Sequence, residues 1–320
     1  MLNAKENILR VIYHNNPEWV PNGMESLKQI FSPVVERRYS VGPDDFGVEW
    51  DLEPEAEGGT FPKHGGNPID DIEHWEEQLK IPDLDNYDWE AIRKKAESID
   101  REQHLVGGFV EMGLFERSYL LFGMENALVY YLTEPEEMKK LIHKIADFKI
   151  DVINRFDEAA DLDIIWYGDD WGTQTNLFLP PAVWRDIIKP ETKRIYDCMK
   201  SHGIIVNQHS CGKIESVFED IVEMGADMWN PCQPCNDLAG LKKKYGDRIT
   251  FCGGIDSQFV LARPGVTPEE VDAEVKKRIY EMGENGGYIA APSHSVPYKK
   301  ELLDAMVNAI HKYGREIYQK

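Results

Sequence analysis

From about residue 100 to the end of the chain, short apolar runs alternate with longer stretches whose apolar positions recur at helical spacing. "HLVGGFVEMG", "DIIWYGDD", "IIVNQHSCG", "ADMWNP", "ITFCGGID" and "GYIAAPS" read as six strands. Amphipathic helices separate them, among them "EEMKKLIHKIADFKIDVINRFDEA", "KIESVFEDIVEMG" and "PEEVDAEVKKRIYEMGENG". Helices that end at Gly203, Gly225, Gly246 and Gly283 use the residue for which a left-handed cap costs least. Strand, helix and strand at this spacing predict right-handed βαβ units on a parallel sheet. The N-terminal third adds two weaker strand candidates, "EWVPNGM" and "RRYSVGPDDFGVEW". Eight strands in all predict an α/β fold of the (β/α)8 TIM-barrel type. An open doubly wound sheet is the rival, but no Gly-rich phosphate turn follows an early strand. The stretch from about 51 to 75 is acidic, rich in Gly and Pro, and without clear period, so it reads as an inserted loop, hairpin or lid within one 1–320 barrel domain.

The composition suits one sizeable folded unit: 320 residues, 42% apolar and 29% charged. A formal charge of −21 with no basic block argues against nucleic acid and anionic membranes as partners. The amphipathic start "MLNAKENILRVIYHNN" lacks the apolar stretch of a signal peptide, and no run approaches the length of a membrane span. Five cysteines, an odd number, favour free thiols or metal ligands over a disulfide framework, and a cytoplasmic location is expected.

In a parallel barrel, reactive groups gather where the strands end. His209 and Cys211 stand two residues apart at such an end, so strand alternation directs both the same way. An imidazole and a thiolate together suit Zn2+, although a buried histidine beside an inert cysteine would satisfy the same spacing. Other strand ends bring Glu111 and Glu116, Asp169 and Asp170 with Gln174, Cys252 with Asp256, and His294. An Asp before a helix is usually an N-cap, but ionisable groups on five strand ends converge on one rim. "NPCQPC" holds Cys232 and Cys235 without the second pair that a zinc knuckle needs. Among the abundant aromatics, Phe109, Tyr167 and Trp171 lie near the rim and are candidates to line a pocket for a flat substrate.

The segments "YGDDWGTQTNLFLPPAVWRDIIKP", "HSCGKIESVFEDIVEMGADMWNPCQP", "GDRITFCGGIDSQ" and "GGYIAAPSHSVP" together resemble the uroporphyrinogen decarboxylase superfamily, most of all its corrinoid-dependent methyltransferase branch. The resemblance covers roughly residues 104 to 315 and implies a (β/α)8 barrel with its site at the strand C-termini. Decarboxylases of the superfamily carry an Arg-Gln-Ala-Gly-Arg-Tyr stretch for the carboxylates of their substrate. This chain has no arginine from Val11 to Glu36, which argues against decarboxylation. In the methyltransferase branch a His-x-Cys and a later Cys hold zinc. His209 and Cys211 match the pair, whereas "APSHSVP" offers His294 where the later Cys would fall. His294 is thus the expected third ligand, with Glu111, Cys232 and Cys252 as alternatives. The resemblance implies a zinc-dependent enzyme that moves a methyl group from an O-methyl substrate, such as an aryl methyl ether, to Co(I). Asp169 and Asp170 would orient substrate or ligands, Glu111 and Glu116 would act as acids or support them, and Asp256 would shape the rim. The cobalamin-module signature Asp-x-His-x-x-Gly is not in the sequence, so the corrinoid is expected on a separate partner protein. Methyl transfer from a methylcorrinoid to a thiol or folate, or a non-catalytic metal-binding or corrinoid-escort barrel, would fit the same motifs.

Overall fold

The computed structural model describes residues 2–53, 59–294 and 298–319. Its main sheet has seven parallel strands in chain order: β1 (Leu27–Phe31), β5 (Leu105–Val110), β6 (Ile164–Gly168), β7 (Ile205–His209), β8 (Met228–Cys232), β9 (Thr250–Ile255) and β10 (Tyr288–Pro292). β2 (Gly42–Pro43), β3 (Glu49–Leu52) and β4 (Thr60–Pro62) form a separate antiparallel sheet. The large sheet curls until its last strand meets the chain start. Pro21 O accepts from the Ala290 N–H at 3.0 Å, and Gly23 N–H donates to Ala290 O at 2.7 Å. That contact stands where an eighth strand closes a TIM-type barrel.

The six strands expected after residue 100 are all present. They are legible because a strand covered on both faces reads as an unbroken apolar run. Of the N-terminal candidates, "EWVPNGM" supplies the closing contact with Ala290. "RRYSVGPDDFGVEW" does not enter the barrel: it contributes β2 and β3 to the small antiparallel sheet. The first barrel strand is instead Leu27–Phe31, whose "LKQIF" exposes most of its side chains and so gives a weak apolar signal. The expected 51–75 insertion holds the end of β3 and all of β4, while residues 54–58 lie outside the described residues.

The helix Ala4–Ile12 plugs the N-terminal end of the barrel. It begins with a capping box between Asn3 and Glu6, and it packs Ile8, Val11 and Ile12 against Leu105, Ile164, Ile205, Met228, Cys252 and Ile289. Cys252 is therefore buried at the closed end and cannot complete a shell at the rim, because it stands early in β9 rather than at its end. At the open end, a buried ionic network ties the 33–48 loop to two helices. Arg117, on Leu114–Phe122, reaches Asp44 at 2.9 Å and Glu36 at 3.6 Å. Lys149, on Pro135–Ala160, pairs with Glu36 and donates to Glu111 O at 2.8 Å. Removing one partner would strand a charge away from water, so the loop is held in one geometry. Among the described residues, no helix is long and apolar enough to cross a membrane.

Candidate metal centre

The centre forms where the loops after β6 and β7 touch backbone to backbone. Gly172 N–H donates to Cys211 O at 3.2 Å, and Asp169 N–H donates to His209 O at 3.1 Å. A Cβ on Gly172 would lie 2.7 Å from Cys211 O, and one on Gly212 2.2 Å from Gly172 O. Gly212 also has φ +83, so both positions require glycine for this approach. Trp171 N–H donates to Ser210 Oγ at 3.0 Å, which fixes the two loops further.

This contact brings Asp170 to the His-x-Cys pair. Asp170 Oδ1 lies 3.4 Å from His209 Nε2 and accepts from Cys211 N–H at 2.7 Å. Cys211 Sγ is 3.5 Å from the same His209 Nε2. One donor atom from each of Asp170, His209 and Cys211 lies within 4.8 Å of the other two. His294 is not in this group. It sits in the loop after β10, where its backbone exchanges hydrogen bonds with Ser257 Oγ, and its side chain is exposed. Asp170, not the expected His294, is the side chain whose donor atom lies within reach of both His209 and Cys211. Cys232 is buried, with its thiol donating to Trp229 O at 3.3 Å, so it too stands outside the group.

The tautomer of His209 follows from its neighbours. Trp166 Nε1 can only donate, and it reaches Asn230 Oδ1 at 3.2 Å, which fixes that atom as the amide oxygen. Asn230 Nδ2 in turn donates to Asn207 Oδ1 at 3.2 Å. His209 Nδ1 lies 2.5 Å from the same Asn230 oxygen and must donate to it. The Nε2 lone pair then faces the Asp170 carboxylate and the Cys211 sulfur. Burial lowers the His209 pKa and so favours this neutral form. Burial, then the charge of Asp170, raises the Cys211 pKa. A lone pair opposed to a carboxylate oxygen is an unfavourable pairing unless a cation lies between them. A nitrogen, a sulfur and an oxygen donor suit Zn2+, and the Asn230 bond orients the imidazole as such sites require. The residues present fit the metal that the resemblance implies.

Glu116 is buried beside the centre. Burial first, then the charges of Asp170 and Asp169, raise its pKa well above the usual carboxyl range. Asp169 is fully buried and accepts from Phe115 N–H at 3.1 Å, Glu116 N–H at 2.9 Å and Trp171 Nε1 at 2.8 Å. It thus holds the start of the Leu114–Phe122 helix and the β6 loop, and it is raised to about 6, chiefly by burial. Asp256 caps the turn after β9 by accepting from Phe259 N–H at 2.8 Å. It lines a cavity of about 440 Å3 together with Gln174, Cys235 and His294. Glu111 follows β5; Tyr39 OH lies 3.2 Å from both its oxygens, and burial raises its pKa to about 7.

Alternation corrects the aromatic expectations. Trp166, not Tyr167, faces the centre: its ring lies 4.2 Å from Phe109 and 4.4 Å from His209. Tyr167 is fully buried against Tyr196 of the helix layer, and Trp171 packs on Trp184. Neither is placed to touch a substrate. Asn230 was not anticipated, since its role depends on the register that sets it opposite His209.

The sequence pattern of the uroporphyrinogen decarboxylase (URO-D) family matches residues 38–313. The chain belongs to this family. Within it, the uroporphyrinogen decarboxylase of Methylococcus capsulatus is 24% identical over 198 residues, covering 57% of this chain and 50% of that protein. The Methylcobamide:CoM methyltransferase MtaA of Methanosarcina barkeri is 26% identical over 172 residues, covering 49% of each chain. The match thus spans about half the length of these relatives. A solved methyltransferase from Methanosarcina mazei superposes with a TM-score of 0.75 over 98% of this chain and 99% of its own, at 15% identity. That likeness establishes the URO-D-type barrel as the fold.

Proposed function

We propose that this chain is a zinc-dependent methyltransferase that removes the methyl group of an O-methyl substrate, an aryl methyl ether, and passes it to the Co(I) corrinoid of a separate protein. The observation that carries the proposal is the outward Nε2 lone pair of His209 facing Cys211 and Asp170. His209, Cys211 and Asp170 would hold the zinc, which when bound supplies Lewis acidity toward the ether oxygen. The carbon–oxygen bond breaks with its electron pair left on oxygen, and the methyl group goes to cobalt. Glu116, whose carboxyl burial pushes well above the usual range, would protonate that oxygen. Trp166 and Phe109 form an aromatic wall next to His209, suited to a flat leaving group. The corrinoid would be delivered to the open end of the barrel by that separate protein.

A second reading runs the transfer from a methylcorrinoid to a thiol. The name of the Methanosarcina barkeri relative favours it, as does the carboxylate in the ligand group. Incubating zinc-loaded protein with a reduced corrinoid protein and candidate methyl ethers, while following cobalt absorbance, tests the proposal. Methylation of cobalt by an ether supports it. Demethylation of methylcorrinoid by thiols, with ethers inert, overturns it for the second reading.

A further inference from the structure

The helix Leu238–Tyr245 carries three consecutive lysines in its last turn, Lys242, Lys243 and Lys244. Lysines in a last turn ordinarily answer the helix dipole from solvent. Lys242 instead reaches across to the turn before β10. Its Nζ donates to Gly286 O at 2.6 Å and to Gly246 O at 3.2 Å. Two acceptors match the two N–H bonds of a neutral amine, which keeps its lone pair, whereas an ammonium has a third N–H to place. Burial also favours the neutral form and pulls the Lys242 pKa down to about 8, although Asp247 and, less, Cys232 oppose the shift.

Lys242 lines a cavity of about 560 Å3 together with Lys243, Lys244, His14, Asp247 and Glu281. The turns that Lys242 joins precede β9 and β10, so the cavity lies at the opposite end of the strands from the metal centre. His14 is neutral at pH 7 and above, because burial first, and then the Lys242 charge, lower its pKa. Glu281 is committed to Arg278 at 2.9 Å, and Glu284, also on the wall, is exposed.

We propose that Lys242 is an acyl-acceptor site, modified on Nζ by small acyl phosphates that enter this cavity. Nitrogen attacks the carbonyl carbon, and the new C–N bond replaces the C–O bond to phosphate. The electron pair of that bond leaves on the phosphate oxygen, and the proton lost by nitrogen ends on the phosphate. Lys243 and Lys244 supply positive charge beside the leaving group. The amide has one N–H where the amine had two, so Gly246 O or Gly286 O loses its donor. Acylation therefore loosens the tie between the turns before β9 and β10.

Incubating the full chain with acetyl phosphate tests the site, with fragment-ion mass spectrometry reading each lysine separately. At pH 8 about half of Lys242 is free amine, against less than about 1% of an ordinary lysine. After allowance for access and weaker nucleophilicity, it should be acetylated at least about tenfold faster than Lys243 or Lys244. Its rate should rise about fivefold from pH 7 to 8 and level off above about pH 9, while the other two keep climbing roughly tenfold per unit. In urea the three should react alike. Asp247→Asn removes a charge that holds the proton, so the Lys242 midpoint should move to lower pH. Equal rates in the folded chain, a Lys242 rate that still climbs past pH 9, or a preference that survives in urea each overturns the site. So does a midpoint that Asp247→Asn leaves unmoved. Acetylated wild type should melt at a lower temperature than untreated protein, and Lys242→Arg should escape that loss under the same treatment. An equal loss in Lys242→Arg would overturn the link between acylation and the tie.

Discussion

Glu111 offers a test that depends only on the fold and its electrostatics. Its carboxyl sits at the end of β5, half-buried, with Tyr39 OH as its hydrogen-bond donor. Burial is the main cause that raises its pKa from 4.5 to about 7; Glu36 adds to the rise, while Arg37, Tyr39 and Lys149 oppose it. A carboxyl with a raised folded-state pKa binds its proton more tightly in the folded chain than in the unfolded one. Stability is therefore highest below the unfolded value, falls as pH rises from about 4.5 to about 7, and levels off above. The shift corresponds to a penalty of at most roughly 3 kcal/mol at pH 8, reduced by the group's remaining contact with solvent. Glu111→Gln keeps an acceptor for Tyr39 and cannot ionise. It should match wild type at pH 4 to 5 and exceed it at pH 8 by up to that amount. Urea denaturation of both proteins at each pH isolates the difference, because all other titrating groups are shared. A difference that stays flat from pH 5 to 8, or grows toward acid, would refute the assignment.

The remaining predictions concern the metal centre. Cys211→Ser and Asp170→Asn should each lower zinc content measured by atomic absorption, whereas His294→Ala should leave it unchanged; equal zinc loss in His294→Ala would restore His294 as a ligand. Asn230→Leu removes the acceptor for His209 Nδ1–H and should weaken zinc affinity about 10- to 100-fold in a chelator competition, with little change in circular dichroism. Gly172→Ala places a methyl group 2.7 Å from Cys211 O and should push the β6 and β7 loops apart. It should cost about 1–3 kcal/mol in denaturant and lose zinc, and retention of both would show that the loop contact is not needed.

What the sequence reveals here depends on how far apart in the chain a relation lies. The strands from β5 onward are legible because burial on both faces leaves apolar runs between helices. The first barrel strand is not, since "LKQIF" exposes polar positions, and period-two alternation cannot tell a barrel strand from the hairpin of β2 and β3. His209 and Cys211 are legible as neighbours two residues apart. Asp170 and Asn230 join them only through loop packing and strand register, which no local pattern encodes. The same alternation, set one residue differently from expectation, places Trp166 inward and Tyr167 outward.

The ligand group has a consequence for chemistry. Two imidazoles and a thiolate would leave bound zinc with a net positive charge, the condition under which it polarises an ether oxygen most strongly. With Asp170 in place of His294, thiolate and carboxylate together would neutralise a bound zinc, so in the proposed ether cleavage less of the leaving group's developing charge would be met by the metal. A proton must then meet the rest. Glu116 would supply it, since burial raises its pKa well above the usual carboxyl range. Transfer to a thiol releases no oxyanion and gains nothing from such an acid. Glu116→Gln should therefore slow ether demethylation about 100-fold or more while preserving zinc content, and it should leave any methylcorrinoid-to-thiol activity nearly intact. Equal loss of both activities would assign Glu116 to supporting Asp170, and an undiminished ether reaction would remove it from the chemistry.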